Sequence, residues 1–393
     1  MNNWKETTLD KVIELIIDHR GLTPKKLGGD WSDFGYRAIS AKTIKNGQLV
    51  NEYQMNILPE DLYKKWMKEE TQYGDIFLTS EAPLGEHMVW KSEEKLVLSQ
   101  RIFGIRTKKD ILDPFFFNYF IDSKYYQHQL KSRESGSTVT GIKQSELLKT
   151  KVILPPLPEQ KEIAAMLSSF DDKVELLRKE NETLEKIAQT IFKEWFVDFT
   201  INGEKLKLEN GIPEGWRVES VTSVVNIRQG KYLESNEISD FIMGDKKFPI
   251  YGGNGIRGYI KDFTYQKPQV VLTCRGNGCG LIQLTRENST ITNSCMTFEY
   301  MDSVLSYEFL YFWAKKIGFE SVTSGSAQPQ ITITNLSSLD IIIPDEKILE
   351  EFNKSMNSLF EKMFLNNFEI QTLSRSRDTL LPKLMSGEID LNL

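Results

Sequence analysis

The sequence predicts an α+β protein in which two similar globular modules are separated by two long helices that form an antiparallel coiled coil. The first observation is a repeat. Ser135-Gly136-Ser137 recurs as Ser324-Gly325-Ser326, and at the same shift Ile142 meets Ile331, Leu147 meets Leu336, Val152-Ile153-Leu154-Pro155 meets Ile341-Ile342-Ile343-Pro344, and Thr190-Ile191-Phe192 meets Thr379-Leu380-Leu381. One offset of about 189 residues, kept over about 60 residues, marks two copies of one unit. The second observation is a seam inside each copy. Apolar residues fall at alternating steps of four and three from Ile163 through Leu167, Phe170, Val174 and Leu177 to Asn181, and on through Leu184, Ala188 and Ile191 to Trp195. The same pattern runs from Phe352 through Met356, Leu359, Met363, Asn366, Ile370, Leu373, Arg377 and Leu380 to Leu384. A period of 3.5 held this long is a coiled-coil signature. The third observation is the short strand-like runs between these segments, with too few helices for a doubly wound fold.

The elements follow in order. Residues 1–156 form the first module, with strand-like runs at Tyr36–Ile39, 75–78, 97–105 and Lys151–Leu154 and an aromatic-rich helix over 114–130. Asp113 and Pro114 suit a helix cap and first turn. Residues 157–201 hold the first long helix. Pro158 fits its first turn, where a missing N–H has no partner to lose, and Glu159 fits the positive end. Residues 202–344 form the second module, with runs at 248–251, Val270–Thr273, 280–285 and 339–343 and a helix over 307–316; its opening stretch, 202–213, has two glycines and a proline and reads as a joint. Residues 345–393 hold the second long helix, begun by Asp345 and Glu346. Each helix has about 40 residues and so spans about 60 Å.

The seam also fixes a register. With Ile163 opposite Leu384, Trp195 lies opposite Phe352 and the one asparagine of each seam, Asn181 and Asn366, falls in one layer. Two amides can bond each other there, whereas one alone would cost about 1–3 kcal/mol. Phe170 then faces Arg377, whose guanidinium must stack on the ring or reach outward.

Composition bounds the function. The net charge of −6 gathers on the long helices and leaves the modules near neutral, so basic patches on a module can still meet DNA phosphates. There is no apolar run long enough for a membrane helix, and the opening residues do not read as a secretory signal. Three cysteines, Cys274, Cys279 and Cys295, fit a reducing cytoplasm better than a disulfide scaffold, and their spacing and number do not make a zinc site. Gly253-Asn254-Gly255-Ile256-Arg257-Gly258 matches the dinucleotide pattern G-x-G-x-x-G, but Pro249 interrupts the strand before it and Tyr259-Ile260 continues as strand, so a glycine turn is expected instead. Asp113-Pro114-Phe115-Phe116 lacks the second proline of an amino-methyltransferase motif, and Asp345, Glu346 and Lys347 read as a helix start. We expect no catalytic residue, metal or bound cofactor in this chain.

DNA contact is expected from glycine-rich and polar loops. In the second module these carry Tyr251, Asn254, Arg257, Arg275 and Asn277; in the first, Lys42, Lys45, Thr79 and Ser80. Ser137 and Ser326 come from the repeated Ser-Gly-Ser turns. Arginine pairs with guanine or phosphate and asparagine with adenine, while glycines let backbone approach a duplex. A duplex running past both modules requires these residues to share a face.

Several segments together resemble the specificity subunits of type I restriction-modification systems. They are Leu154-Pro155-Pro156-Leu157-Pro158-Glu159-Gln160-Lys161, Phe192-Lys193-Glu194-Trp195-Phe196-Val197-Asp198-Phe199, Asn210-Gly211-Ile212-Pro213-Glu214-Gly215-Trp216, Tyr251-Gly252-Gly253-Asn254-Gly255, and Leu380-Leu381-Pro382-Lys383-Leu384-Met385-Ser386-Gly387-Glu388-Ile389. The resemblance covers nearly the whole chain. It implies that the modules are target-recognition domains, each reading half of a split double-stranded DNA sequence. It also implies that the helices are spacer and dock for DNA methyltransferase subunits, two in number, that S-adenosylmethionine is held by those partners, and that restriction subunits join them in the cytoplasm. Two other readings use the same sequence: a fused restriction or methyltransferase enzyme, which the missing cofactor loop disfavours, and a repeat scaffold that binds only protein.

Overall fold

A computed structural model describes residues 4–136, 140–240, 242–276, 278–300, 305–325 and 328–389 of the 393-residue chain. Two compact units divide it, Met1–Leu176 with Ile370–Leu393, and Leu177–Glu369. Each unit therefore holds one module and a stretch of each long helix.

In the first unit the strands that position the loops are β1 (Lys5–Thr8), β2 (Ile13–Asp18), β3 (Tyr36–Ile39), β4 (Ile57–Leu58), β5 (Ile76–Thr79), β6 (His87–Val89), β7 (Val97–Leu98), β8 (Ile102–Thr107) and β9 (Lys151–Leu154). The main sheet has the order β2-β8-β5-β6 and is antiparallel throughout. A second sheet, β4-β3-β7, pairs β3 with β7 in parallel, and β1 pairs with β9. β5 and β8 are buried along their whole length, which is why neither shows a simple apolar–polar alternation. Against this sheet pack the helices α1 (Pro114–Ile121) and α2 (Lys124–Ser132).

The second unit repeats this plan. Its strands are β10 (Arg217–Ser220), β11 (Val225–Gln229), β12 (Phe248–Gly252), β13 (Gly255–Ile260), β14 (Val270–Thr273), β15 (Ile282–Leu284), β16 (Thr290–Ile291), β17 (Cys295–Tyr300) and β18 (Asp340–Ile343). The main sheet has the order β11-β17-β14-β15, the second sheet is β13-β12-β16 with β12 and β16 parallel, and β10 pairs with β18. The helix α3 (Tyr307–Ile317) takes the place of α1. The duplication thus covers the whole module, well beyond the stretch in which the sequence shows it.

Several expected elements are adjusted. The helix expected over 114–130 is two, because Ser123 ends the first turn-run and caps the second by accepting from Tyr126 N at 3.2 Å. Asp113 caps α1, accepting from Phe115 N and Phe116 N at 3.0 Å each. The run over 97–105 breaks at Ser99-Gln100-Arg101, where Arg101 adopts φ +69°. The joint over 202–213 is ordered: Asn202-Gly203 and Asn210-Gly211, all at positive φ, turn two short hairpins.

The long helices are Leu157–Phe196 and Glu346–Met385, each 40 residues. Asp345 begins the second one by accepting from Lys347 N at 3.0 Å. In the second unit Trp195 lies 6.0 Å from Phe352, ring centroid to centroid, while Asn181 meets Asn366, so one helix rises as the other falls. The pair is an antiparallel coiled coil. Asn366 Nδ2 donates to Asn181 Oδ1 and to Glu180 Oε2, both at 2.9 Å, and Asn181 Nδ2 donates to Asn367 Oδ1 at 3.0 Å. Asn366 is 1% exposed, and these bonds satisfy both N–H donors of its amide. In the first unit Ile163, Leu167, Leu381 and Leu384 join one apolar core, and Arg377 reaches Asp171 and Asp378. Of the two outcomes open to Arg377, the outward one holds.

Both modules are tied to the first long helix by a tyrosine. Tyr119 of α1 donates to Asp171 Oδ2 at 2.6 Å, and Tyr311 of α3 donates to Glu185 Oε1 at 2.9 Å. Phe309 and Phe312 of α3 also pack on Phe192, with centroids at 5.5 and 5.8 Å. Among the described residues no helix is long and apolar enough to cross a membrane.

Candidate nucleic-acid interface

The 253–258 segment is a hairpin. Gly252 pairs with Gly255 across the two-residue turn Gly253-Asn254, and β13 follows directly. The dinucleotide pattern is therefore a turn and a strand, with no helix N-terminus to hold phosphate. Asn254 stands exposed at the tip. Next, Tyr251 pairs with Ile256 but Ile250 pairs with Gly258, so Arg257 is the extra residue of a β-bulge. A bulge bends its strand and re-aims a side chain. Arg257 is exposed, and no ion pair holds it among the described residues.

The loop after β14 lies against this hairpin. Thr273 Oγ1 donates to Gly253 O at 2.9 Å, and Gln283 Nε2 donates to Gly252 O at 2.9 Å. A Cβ on Gly278 would stand 2.9 Å from Asn254 Oδ1, so glycine is what allows the approach. Arg275 is exposed on the same loop and bridges Gln330, which also bridges Ser324 of the repeated Ser-Gly-Ser turn. Asn277 and Ser326 lie outside the described residues.

In the first module the corresponding loop follows β5. Glu81 bridges Gly141, which bridges Ser135, the counterpart of Ser324. Lys42 and Lys45 are exposed. Ser137 lies outside the described residues.

Three expected contact residues are interior. Thr79 and Ser80 are 0% and 1% exposed, and Tyr251 is 7% exposed. Thr79 ends β5, and its Oγ1 donates to Pro83 O at 2.6 Å, which shapes the turn beyond it. Ser80 Oγ is buried with no hydrogen-bond partner. Tyr251 accepts from Arg286 N at 3.1 Å through its hydroxyl, and burial pushes that hydroxyl's pKa up. Thr79 and Tyr251 hold loop backbone in place, and none of the three side chains faces outward. They were expected outward because each adjoins a glycine-rich or polar loop; Thr79 instead ends the fully buried strand β5, Ser80 follows it directly, and Tyr251 lies within β12.

The sequence reading missed Arg101. It falls within what reads as one strand, so only its left-handed backbone reveals a turn. Its guanidinium pairs with Glu81 at 2.9 Å. It also lines a cleft of about 890 Å³ with Lys25, Lys42, Gln54, Asn56 and Gln100. Among the described residues no group of three or more His, Cys, Asp or Glu side chains is placed to hold a metal ion. Cys274 and Cys295 are buried, and burial raises the pKa of Cys295.

A twice-built α+β module, each copy joined to a long coiled-coil helix and each displaying cationic side chains on its loops, defines a two-site recognition protein. The chain belongs to the type I restriction modification DNA specificity domain family, whose model matches residues 1–186 and 213–374. Sequence-specific DNA recognition within a type I restriction-modification system is the role that this membership gives it. The chain is 29% identical over 404 residues to the type I restriction enzyme MjaIX specificity subunit of Methanocaldococcus jannaschii, covering 94% of this chain and 86% of that one. It is 24% identical to the HindI specificity subunit of Haemophilus influenzae, covering 82% and 88%. In fold it is similar to the crystal structure of the type I S subunit from M. genitalium, with a TM-score of 0.59 at 18% identity over 98% and 96% of the two chains.

Proposed function

We propose that this chain reads a split double-stranded DNA target, one half per module, as a non-catalytic subunit, and that it brings methyltransferase and restriction subunits to that target. The observation that carries this reading is the duplication: two modules with one strand order, each presenting unburied cations on the loops around its central strand. Arg257, Arg275 and Asn254 are the reading side chains we assign to the second module, and Lys42 and Lys45 approach phosphate in the first. A continuous duplex requires all of them on one face.

S-adenosylmethionine, in this reading, is held by the methyltransferase partners, of which there are two. The long helices are their dock. Leu176, Ile187 and Leu365 support this, being 60%, 44% and 66% exposed on the long helices. The protein acts in the cytoplasm.

Fluorescence anisotropy tests the reading. The chain assembled with its methyltransferase subunits should bind one family of duplexes at least about 1,000-fold more tightly than scrambled DNA. Equal affinity for all duplexes, or none for any, would turn the reading towards a protein-only scaffold.

A further inference from the structure

The two modules carry an arginine at the same loop junction, but from different positions in the chain. In the first module Ser80 N donates to Arg101 O at 2.8 Å, and in the second Cys274 N donates to Ser294 O at 2.9 Å. Ile142 N donates to Ser80 O, and Ile331 N donates to Cys274 O. These matching bonds make Arg101 the counterpart of Ser294 and Glu81 the counterpart of Arg275. The junction thus holds Glu81 with Arg101 in one module and Arg275 with Ser294 in the other.

Arg101 is fixed there with unusual firmness. Its φ of +69° is a conformation that favours glycine, kept where the surroundings dictate it. The surroundings are two neighbouring stretches of backbone, 39–41 and Ser80: Ser80 N bonds Arg101 O, Ala41 N bonds Gln100 O at 3.4 Å, and Ser99 N and Oγ both bond Ile39 O. The side chain is then oriented by Glu81 and opens on the 890 Å³ cleft that also carries Lys25 and Lys42. A guanidinium on a rigid backbone, braced by a carboxylate and flanked by lysines, suits two-pronged recognition of a planar acceptor pair. On duplex DNA that pair is the O6 and N7 edge of guanine.

We infer that Arg101 is a specificity-determining residue of the first module and reads a guanine in its half-site, with Glu81 as the positioning residue. The inference rests on the DNA-reading function proposed above. The test is selection from randomised duplexes by the full chain assembled with its methyltransferase subunits, comparing wild type, Arg101→Ala, Arg101→Lys and Glu81→Gln. Arg101→Ala should lose the preference for guanine at one position of one half-site and weaken cognate binding about 10- to 100-fold, leaving the other half-site intact. That intact half also reports folding. Arg101→Lys, which keeps the charge and not the fork, should lose the same preference even if Arg101→Ala fails to assemble. Glu81→Gln should blur that position alone. An unchanged motif in Arg101→Ala overturns the assignment. So does uniform weakening across all sequences with the salt slope reduced by about one, which is the mark of a phosphate contact. A wild-type complex that selects no split motif overturns the DNA reading and this assignment together.

Discussion

Asp75 and Arg106 form a paired charge inside the first module. Arg106 Nε and Nη2 donate to the two carboxylate oxygens at 2.8 Å each, and Nη2 also donates to Glu70 O. Asp75 is 1% exposed, so its removal leaves a guanidinium with no anion in a shielded site. Asp75→Ala should lower stability by about 3–5 kcal/mol in urea unfolding, far more than substitution of a surface pair such as Lys64 with Glu60. Glu308, in the first turn of α3, presents the opposite case. It is buried, and burial raises its carboxyl pKa above the ordinary value. The folded state therefore holds the proton more tightly than the unfolded one. Stability from this group is present below the unfolded pKa and declines as pH rises through the folded one. Glu308→Gln should raise Tm, and the gain should be larger at pH 8 than at pH 5. A gain that shrinks with rising pH would contradict this. Neither site was legible in the sequence, because burial of a charge depends on which strands and helices come to cover it.

At the scale of elements, the coiled coil was the most legible part. Its register follows from one polar layer, and the bonds between Asn181 and Asn366 lie where the seam arithmetic puts them. Asn366→Leu leaves Asn181 and Glu180 short of a partner and should cost about 1–3 kcal/mol. The double change Asn181→Leu with Asn366→Leu should recover most of that while loosening register, a coupling that a double-mutant cycle measures. Cycle energies near zero would show the register to be set elsewhere. The recognition loops were only partly legible. Glycine turns announced where the loops are, but Thr79, Ser80 and Tyr251 turned inward and Arg101 was hidden in an apparent strand. Arg257 was found for its type, whereas the bulge that exposes it is a matter of pairing register. Arg257→Ala should weaken cognate DNA binding by about 1–3 kcal/mol in anisotropy titrations. Unchanged affinity would remove Arg257 from the interface.

At the scale of the whole molecule, the sequence shows duplication over its helix-proximal ends only. Strand order shows it throughout both modules. The physical reason is that the β9 and β18 strands and the helices they lead into must keep one length and phase, while surface loops between the other strands absorb insertions at little cost. Loops are also where a reader of DNA must differ between its two halves, so the drift in offset falls where function permits it. The central claim, that the two modules read two halves of one target, is tested most directly by mapping methylated adenines across the genome of a host carrying this chain with its methyltransferase subunits. The expected result is one motif made of two specified parts separated by a fixed unspecified spacer, with Arg257→Ala or Arg275→Ala changing one part only. A continuous motif, or a split one whose two parts both change with either substitution, would contradict it.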